Sequence, residues 1–114
     1  MNDVTRRKLA GLVGLGARAR TVVTGVEMTK DAAKKGKLVF ALVAPDASKN
    51  SRDKIVPMLT AKRIRFSEAL DMVTLGVAVG RDQTAAVGIV DRNLAKGIRA
   101  LLDTGSDEPT GRMV

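Results

Sequence analysis

Residues 38–48 read Leu38-Val39-Phe40-Ala41-Leu42-Val43-Ala44-Pro45-Asp46-Ala47-Ser48. An apolar run without polar alternation specifies a strand covered on both faces. Such a strand needs helices above and below its sheet, so this stretch alone points to an α/β architecture. Pro45 cannot donate to a ladder and ends the strand. Asp46-Ala47-Ser48 then offers N-cap chemistry for a helical segment running to about Lys62. Pro57 lacks an amide donor and clashes one turn back, so the spacing predicts a short irregular or 3₁₀ turn and a renewed helix from Pro57 to Lys62.

Upstream, Leu9, Leu12, Val13 and Ala17 fall at helical spacing and predict a helix from Thr5 to about Arg20, with arginines on its other face. Gly11, Gly14 and Gly16 cost such a helix stability and are expected to permit close packing against a sheet. Thr21-Val22-Val23 is β-branched and short, as a strand would be. Thr24-Gly25-Val26-Glu27 reads as a capping box, with Thr24 as N-cap and Glu27 reaching back to its amide. The helix it opens should stop at Gly36, after Lys34 and Lys35.

Downstream, Ile64-Arg65-Phe66-Ser67 alternates and predicts a strand with one wetter face. Asp71 caps a short helix through Val79, Ala85 to Val90 is a second buried strand, and Arg92 to Leu102 is a last helix with Leu94, Ile98, Leu101 and Leu102 inward. Strands alternating with helices predict a three-layer α/β/α sandwich around a four-stranded mixed sheet, largely but not wholly parallel. Residues 1–103 form one domain, and residues 104–114 are polar, glycine-containing and expected to be a flexible tail.

The formal charge is +8, and its placement says more than its size. Residues 1–70 carry fifteen Lys and Arg against six acids, whereas residues 71–114 are nearly balanced. That asymmetry, with a pI near 10.5, is the footprint of a polyanion binder. The chain has no cysteine, which excludes disulfides and thiolate metal sites and fits a reducing compartment. Nothing near the start reads as a signal peptide, and no apolar run approaches the roughly 18 residues of a membrane span. The expectation is a cytoplasmic, monomeric protein without membrane association.

Catalysis at neutral pH usually recruits a tuned base or nucleophile, and this chain has no His, Cys, Tyr or Trp. No spacing of carboxylates, lysines or hydroxyls singles out a catalytic site, so no enzyme, cofactor or metal is expected. Gly11-Leu12-Val13-Gly14-Leu15-Gly16 reverses the glycine spacing of a dinucleotide loop and follows no strand. Gly36-Lys37 lacks the hydroxyl residue a phosphate loop would carry and is a helix end. The only aromatics are Phe40 and Phe66. Phe40 belongs to the core, so a base-stacking platform is not expected, and recognition would rest on helix N-termini, basic side chains and loops. Structured RNA is favoured over single strands.

Several stretches, taken in order, carry a family likeness. They are Leu12-Val13-Gly14-Leu15-Gly16-Ala17-Arg18, Val23-Thr24-Gly25, Leu42-Val43-Ala44-Pro45-Asp46-Ala47-Ser48, Leu75-Gly76 with Val79-Gly80, and Thr84-Ala85-Ala86-Val87 leading to Val90-Asp91. Through them, residues 7–103 resemble the ribosomal protein L-seven-Ae / L-thirty-e superfamily, most closely its small bacterial YlxQ-like members. The resemblance implies an α/β/α sandwich and a non-enzymatic RNA-binding role, with kink-turn or other bent structured RNA, in the ribosome or another ribonucleoprotein, as partner. It also implies two RNA-contacting elements. One is the start of the second helix, Gly25, Val26, Glu27, Met28 and Lys30; the other is the loop Arg81, Asp82, Gln83, Thr84 and Ala85, and the charge at the helix end adds Lys34 as a candidate contact. A helix N-terminus presents unpaired amides and partial positive charge to phosphate, and Gly25 keeps side-chain bulk away from the RNA backbone. Two roles stay open for Glu27, a cap and a base-edge acceptor, and two for Lys34, Lys35 and Lys37, solvated helix-end charge and phosphate contact. The alternative class is a protein-interaction module of the translation machinery with only non-specific RNA contact.

Overall fold

The computed structural model describes residues 2–104. Their order is α1 (Asp3–Arg18), β1 (Val22–Thr24), α2 (Val26–Lys34), β2 (Phe40–Val43), α3 (Lys49–Ala61), β3 (Phe66–Ser67), α4 (Met72–Ala78), β4 (Ala86–Ile89) and α5 (Arg92–Thr104). The flexible tail expected from residue 104 falls, beyond Thr104, outside the described residues.

The sheet has the order β1-β4-β2-β3. β2 is fully buried and lies between β4 and β3, as its unbroken apolar run requires. Phe40 and Leu42 point into one layer, against Leu9 and Val13 of α1, Leu75 of α4 and Ile98 of α5. Ala41 and Val43 point into the other, against Ala32 and Ala33 of α2 and Ile55 and Leu59 of α3. Each fully buried Leu, Ile or Val contributes about 1.5–3 kcal/mol of transfer free energy, which makes this two-sided core the main source of cohesion. The three-layer α/β/α sandwich is therefore the observed architecture.

Strand direction refines the expectation. The helical crossovers make β1, β2 and β3 run the same way, but β4 enters between β1 and β2 in reverse. Val22 thus faces Ile89 and Phe40 faces Ile89 in antiparallel pairs, and only β2 with β3 pairs in parallel. The sheet is mixed, and mostly antiparallel by pairing.

Three local expectations are corrected. Pro57 does not restart a helix but sits inside an uninterrupted α3. Its ring leaves the Asp53 carbonyl without its usual helical donor; both residues are exposed, so water can take that acceptor. Thr24 does not cap α2, because it is the last residue of β1, opposite Val87. The N-cap is Gly25, with φ 97° and ψ 159°, and no side chain caps the helix. The three glycines of α1 also differ in use. A Cβ at Gly16 would stand 2.4 Å from Leu94 Cδ2 and 2.9 Å from Val22 Cγ1, and one at Gly14 would meet the Ala78 carbonyl at 3.2 Å. Gly11 faces open space.

Other local signals act as read. Gly36, at φ 73°, follows the C-cap of α2, and Ser48 caps α3 by accepting from the Ser51 amide at 3.1 Å.

Candidate nucleic-acid interface

The start of α2 is fixed by the sheet. The Gly25 amide donates to the Ala86 carbonyl at 2.8 Å, just past the end of the β1–β4 ladder, while the Gly25 carbonyl accepts the first helical bond from Thr29. This geometry demands a backbone that only glycine adopts without strain. The amides of the first turn of α2 have no intrahelical acceptors, as at any helix start, and with no side chain capping them they are open to an anion at the positive end of the helix dipole. Glu27 and Met28 are exposed, Lys30 is half-buried, and Val26 is partly buried against the α2/α3 core.

The same bond brings residues 81–85 alongside, because Ala86 follows that loop directly. The loop is held from below by α4. The Arg81 amide donates to the Gly76 carbonyl at 2.7 Å, and the Thr84 amide to the Met72 carbonyl at 3.1 Å. α4 is in turn anchored by two carboxylates at its own start. Asp71 accepts from the Thr74 amide at 2.8 Å, and Asp46, 26 residues earlier in the chain, accepts from the Met72 amide at 2.9 Å. The Thr74 backbone amide, then the Thr74 hydroxyl and more weakly Arg6, hold the Asp71 carboxyl below its ordinary value.

The structure therefore juxtaposes Gly25, Val26, Glu27 and Met28 with the loop, and it sorts the loop residues. Arg81, Asp82 and Gln83 are exposed and available to a ligand. Thr84 is buried, and its hydroxyl donates to the Ala86 carbonyl at 3.2 Å, so its role is to shape the loop. The Ala85 carbonyl is taken by the Ala44 amide at 2.8 Å. Lys34 belongs to the other end of α2, on the stripe of Glu27 and Lys30 but about 10 Å from Glu27 along the axis. Phe40 is wholly buried and Phe66 half-buried, which leaves no aromatic platform among the described residues.

Two neighbours were missed from sequence. Arg18 lines a depression of about 300 Å³ with Val77, Val79 and Gly80 at the foot of the loop, and Val77 is 67% exposed. The signal was present in Gly14, whose missing Cβ lets α1 approach α4 and brings Arg18 there.

The described residues form a five-helix α/β/α domain in which a helix start and a loop share one face. The sequence model of the Ribosomal protein L7Ae/L30e/S12e/Gadd45 family matches residues 7–98, and the chain belongs to that family. Two curated relatives are similar along nearly their whole length. An RNA-binding protein YlxQ from Enterococcus faecium is 29% identical over 103 residues, covering 90% of this chain and 99% of its own. Another, from Bacillus subtilis (strain 168), is 26% identical over 92 residues, covering 81% and 92% respectively. Among solved structures, a protein of unknown function from Bacillus halodurans C superposes with a TM-score of 0.78 at 27% identity, over 84% of this chain and 97% of that one. The Giardia lamblia 15.5kD RNA binding protein shares the fold, with a TM-score of 0.71 at 17% identity, over 91% and 89%. No helix among the described residues is long and apolar enough to cross a membrane.

Proposed function

We propose that this protein is a non-enzymatic, monomeric, cytoplasmic RNA-binding protein that recognises kink-turn or similarly bent structured RNA in ribosome or ribonucleoprotein assembly. One observation carries the reading: the Gly25–Ala86 hydrogen bond holds an uncapped helix start beside an exposed loop. The names of the YlxQ relatives and the family itself support RNA as the ligand. The charge of +8 supplies the attraction to phosphate.

In this reading the α2 amides, Lys30 and Arg81 hold phosphates, and Glu27, which caps nothing, is free to accept from a guanine edge exposed by sheared G·A pairs. The two kinds of interaction fail differently. Lys30→Ala or Arg81→Ala should weaken binding to every RNA and flatten the salt slope by about 1 for each phosphate no longer engaged. Glu27→Gln should cost about 1–3 kcal/mol on a kink-turn and leave a plain duplex unaffected. The deciding measurement is the affinity of the unmodified protein for a kink-turn and for a straight duplex across a salt series. Equal affinity for the two removes the kink-turn reading, and a salt-independent affinity removes the phosphate-driven one.

A further inference from the structure

The outer face of the α1/α5 pair carries a groove of about 590 Å³ lined by Lys8, Gly11, Leu12 and Leu15 of α1 and Gly97, Ala100 and Leu101 of α5. None of these residues belongs to the candidate RNA interface. Leu15 is 56% exposed, an apolar side chain that the fold leaves uncovered. A Cβ on either Gly11 or Gly97 would meet nothing within 4 Å, so neither glycine is required by packing inside the domain. Both nonetheless weaken their helices relative to alanine. They open the groove so that another backbone can come close to both helices.

Charge decides what fits. Among the described residues, Lys8 is the one ionisable side chain lining the groove, and Lys96 stands one turn before Ala100 on the same stripe of α5. Both are exposed, and neither has an ion-pair partner among the described residues. A second copy of the chain would bring the same cations and a further +8 against them. RNA would set phosphates against an apolar wall. A segment combining apolar side chains with carboxylates satisfies both the wall and the rim. From Lys8 to Leu15 the groove runs about 10 Å, the length of two helical turns.

We infer that the α1/α5 groove is a docking site for an acidic amphipathic helix of a partner protein, its apolar stripe over Leu12, Leu15 and Leu101 and its carboxylates beside Lys8 and Lys96. The site operates independently of RNA binding and allows the protein to join an RNA to a second protein.

The test uses the full chain, isotope-labelled, and two synthetic helical peptides. One carries Leu at i, i+3, i+4 and i+7 with flanking Glu; in the other every Glu is Lys. The Glu peptide should shift the amides of Gly11, Leu15 and Gly97 saturably, and the Lys peptide should bind at least about tenfold more weakly. Gly97→Leu fills the groove and should abolish peptide binding while leaving RNA affinity unchanged. Lys8→Glu should reverse the preference between peptides. Equal binding of both peptides, or shifts spread over the whole basic surface, would overturn the proposal. So would a dimer by sedimentation that Gly97→Leu dissociates, which would assign the groove to a second copy. Movement of the Gly11 and Gly97 amides on removal of residues 105–114 would assign it to the chain's own end and overturn the proposal equally.

Discussion

Gly76 of α4 lies directly against the backbone of Gln83: a Cβ at position 76 would stand 2.3 Å from Gln83 Cα and 2.5 Å from its amide nitrogen. The obstacle is main chain, so no side-chain rotation relieves it. Gly76→Ala should therefore push the 81–85 loop off α4 and destabilise the fold by about 1–3 kcal/mol. Hydrogen exchange at the Arg81 amide, bonded to the Gly76 carbonyl, should accelerate more than exchange in β2. Unchanged protection at Arg81 would mean that the loop has another support.

Gly25 tests the other half of the candidate interface. Nothing lies within 4 Å of a Cβ built there, yet its φ is 97°. Gly25→Ala should cost about 1–3 kcal/mol by backbone strain alone. Relief of that strain would turn the α2 amides away from the loop, so kink-turn affinity should fall further than stability explains. A stable variant with unaltered RNA affinity would remove the helix start from the site.

These two glycines also mark where the sequence could be read and where it could not. The run before Pro45, the Asp71 cap and the Gly36 stop are local signals, decided by residues within a few positions, and each is used as its chemistry suggests. Thr24 carried an equally good local signal for capping and was overruled by Val87, its strand partner far along the chain. Asp46 offered a cap to its own following helix and caps α4 instead. The reversed entry of β4 has no local signature at all. For the candidate interface, the resemblance proposed both elements, but the burial of Thr84 follows from how α4 packs, which periodicity does not encode, and the approach of Arg18 was signalled by Gly14 alone.

Acid should loosen α4 first at its N-terminus. The folded pKa of Asp71 is lowered from 3.8 by its hydrogen bonds to Thr74. Its contribution is therefore fully present above the unfolded value and lost as pH falls through the lowered folded one. Between pH 5 and 2, Asp71→Asn, which keeps an acceptor but cannot titrate, should show a shallower decline of denaturation midpoint than the unmodified chain. Parallel curves would show that the cap does not depend on charge.

Pro57 interrupts the hydrogen bonding of α3 at an exposed position. Pro57→Ala restores a donor for the Asp53 carbonyl and should stabilise the protein by about 1–3 kcal/mol, read from urea unfolding. No gain, or a loss, would indicate that the helix relies on a bend at this residue.

The central position of β4 has a consequence during synthesis. Among the described residues β1 has no strand neighbour but β4, and without residues 86–89 the sheet is reduced to β2 with the two-residue β3, a pair too small to persist in water. A ribosome must therefore translate through Ile89 before the polypeptide can acquire its native topology. The carbonyl that orients Gly25 arrives with that same segment. The geometry at the start of α2 therefore cannot be completed until β4 has emerged.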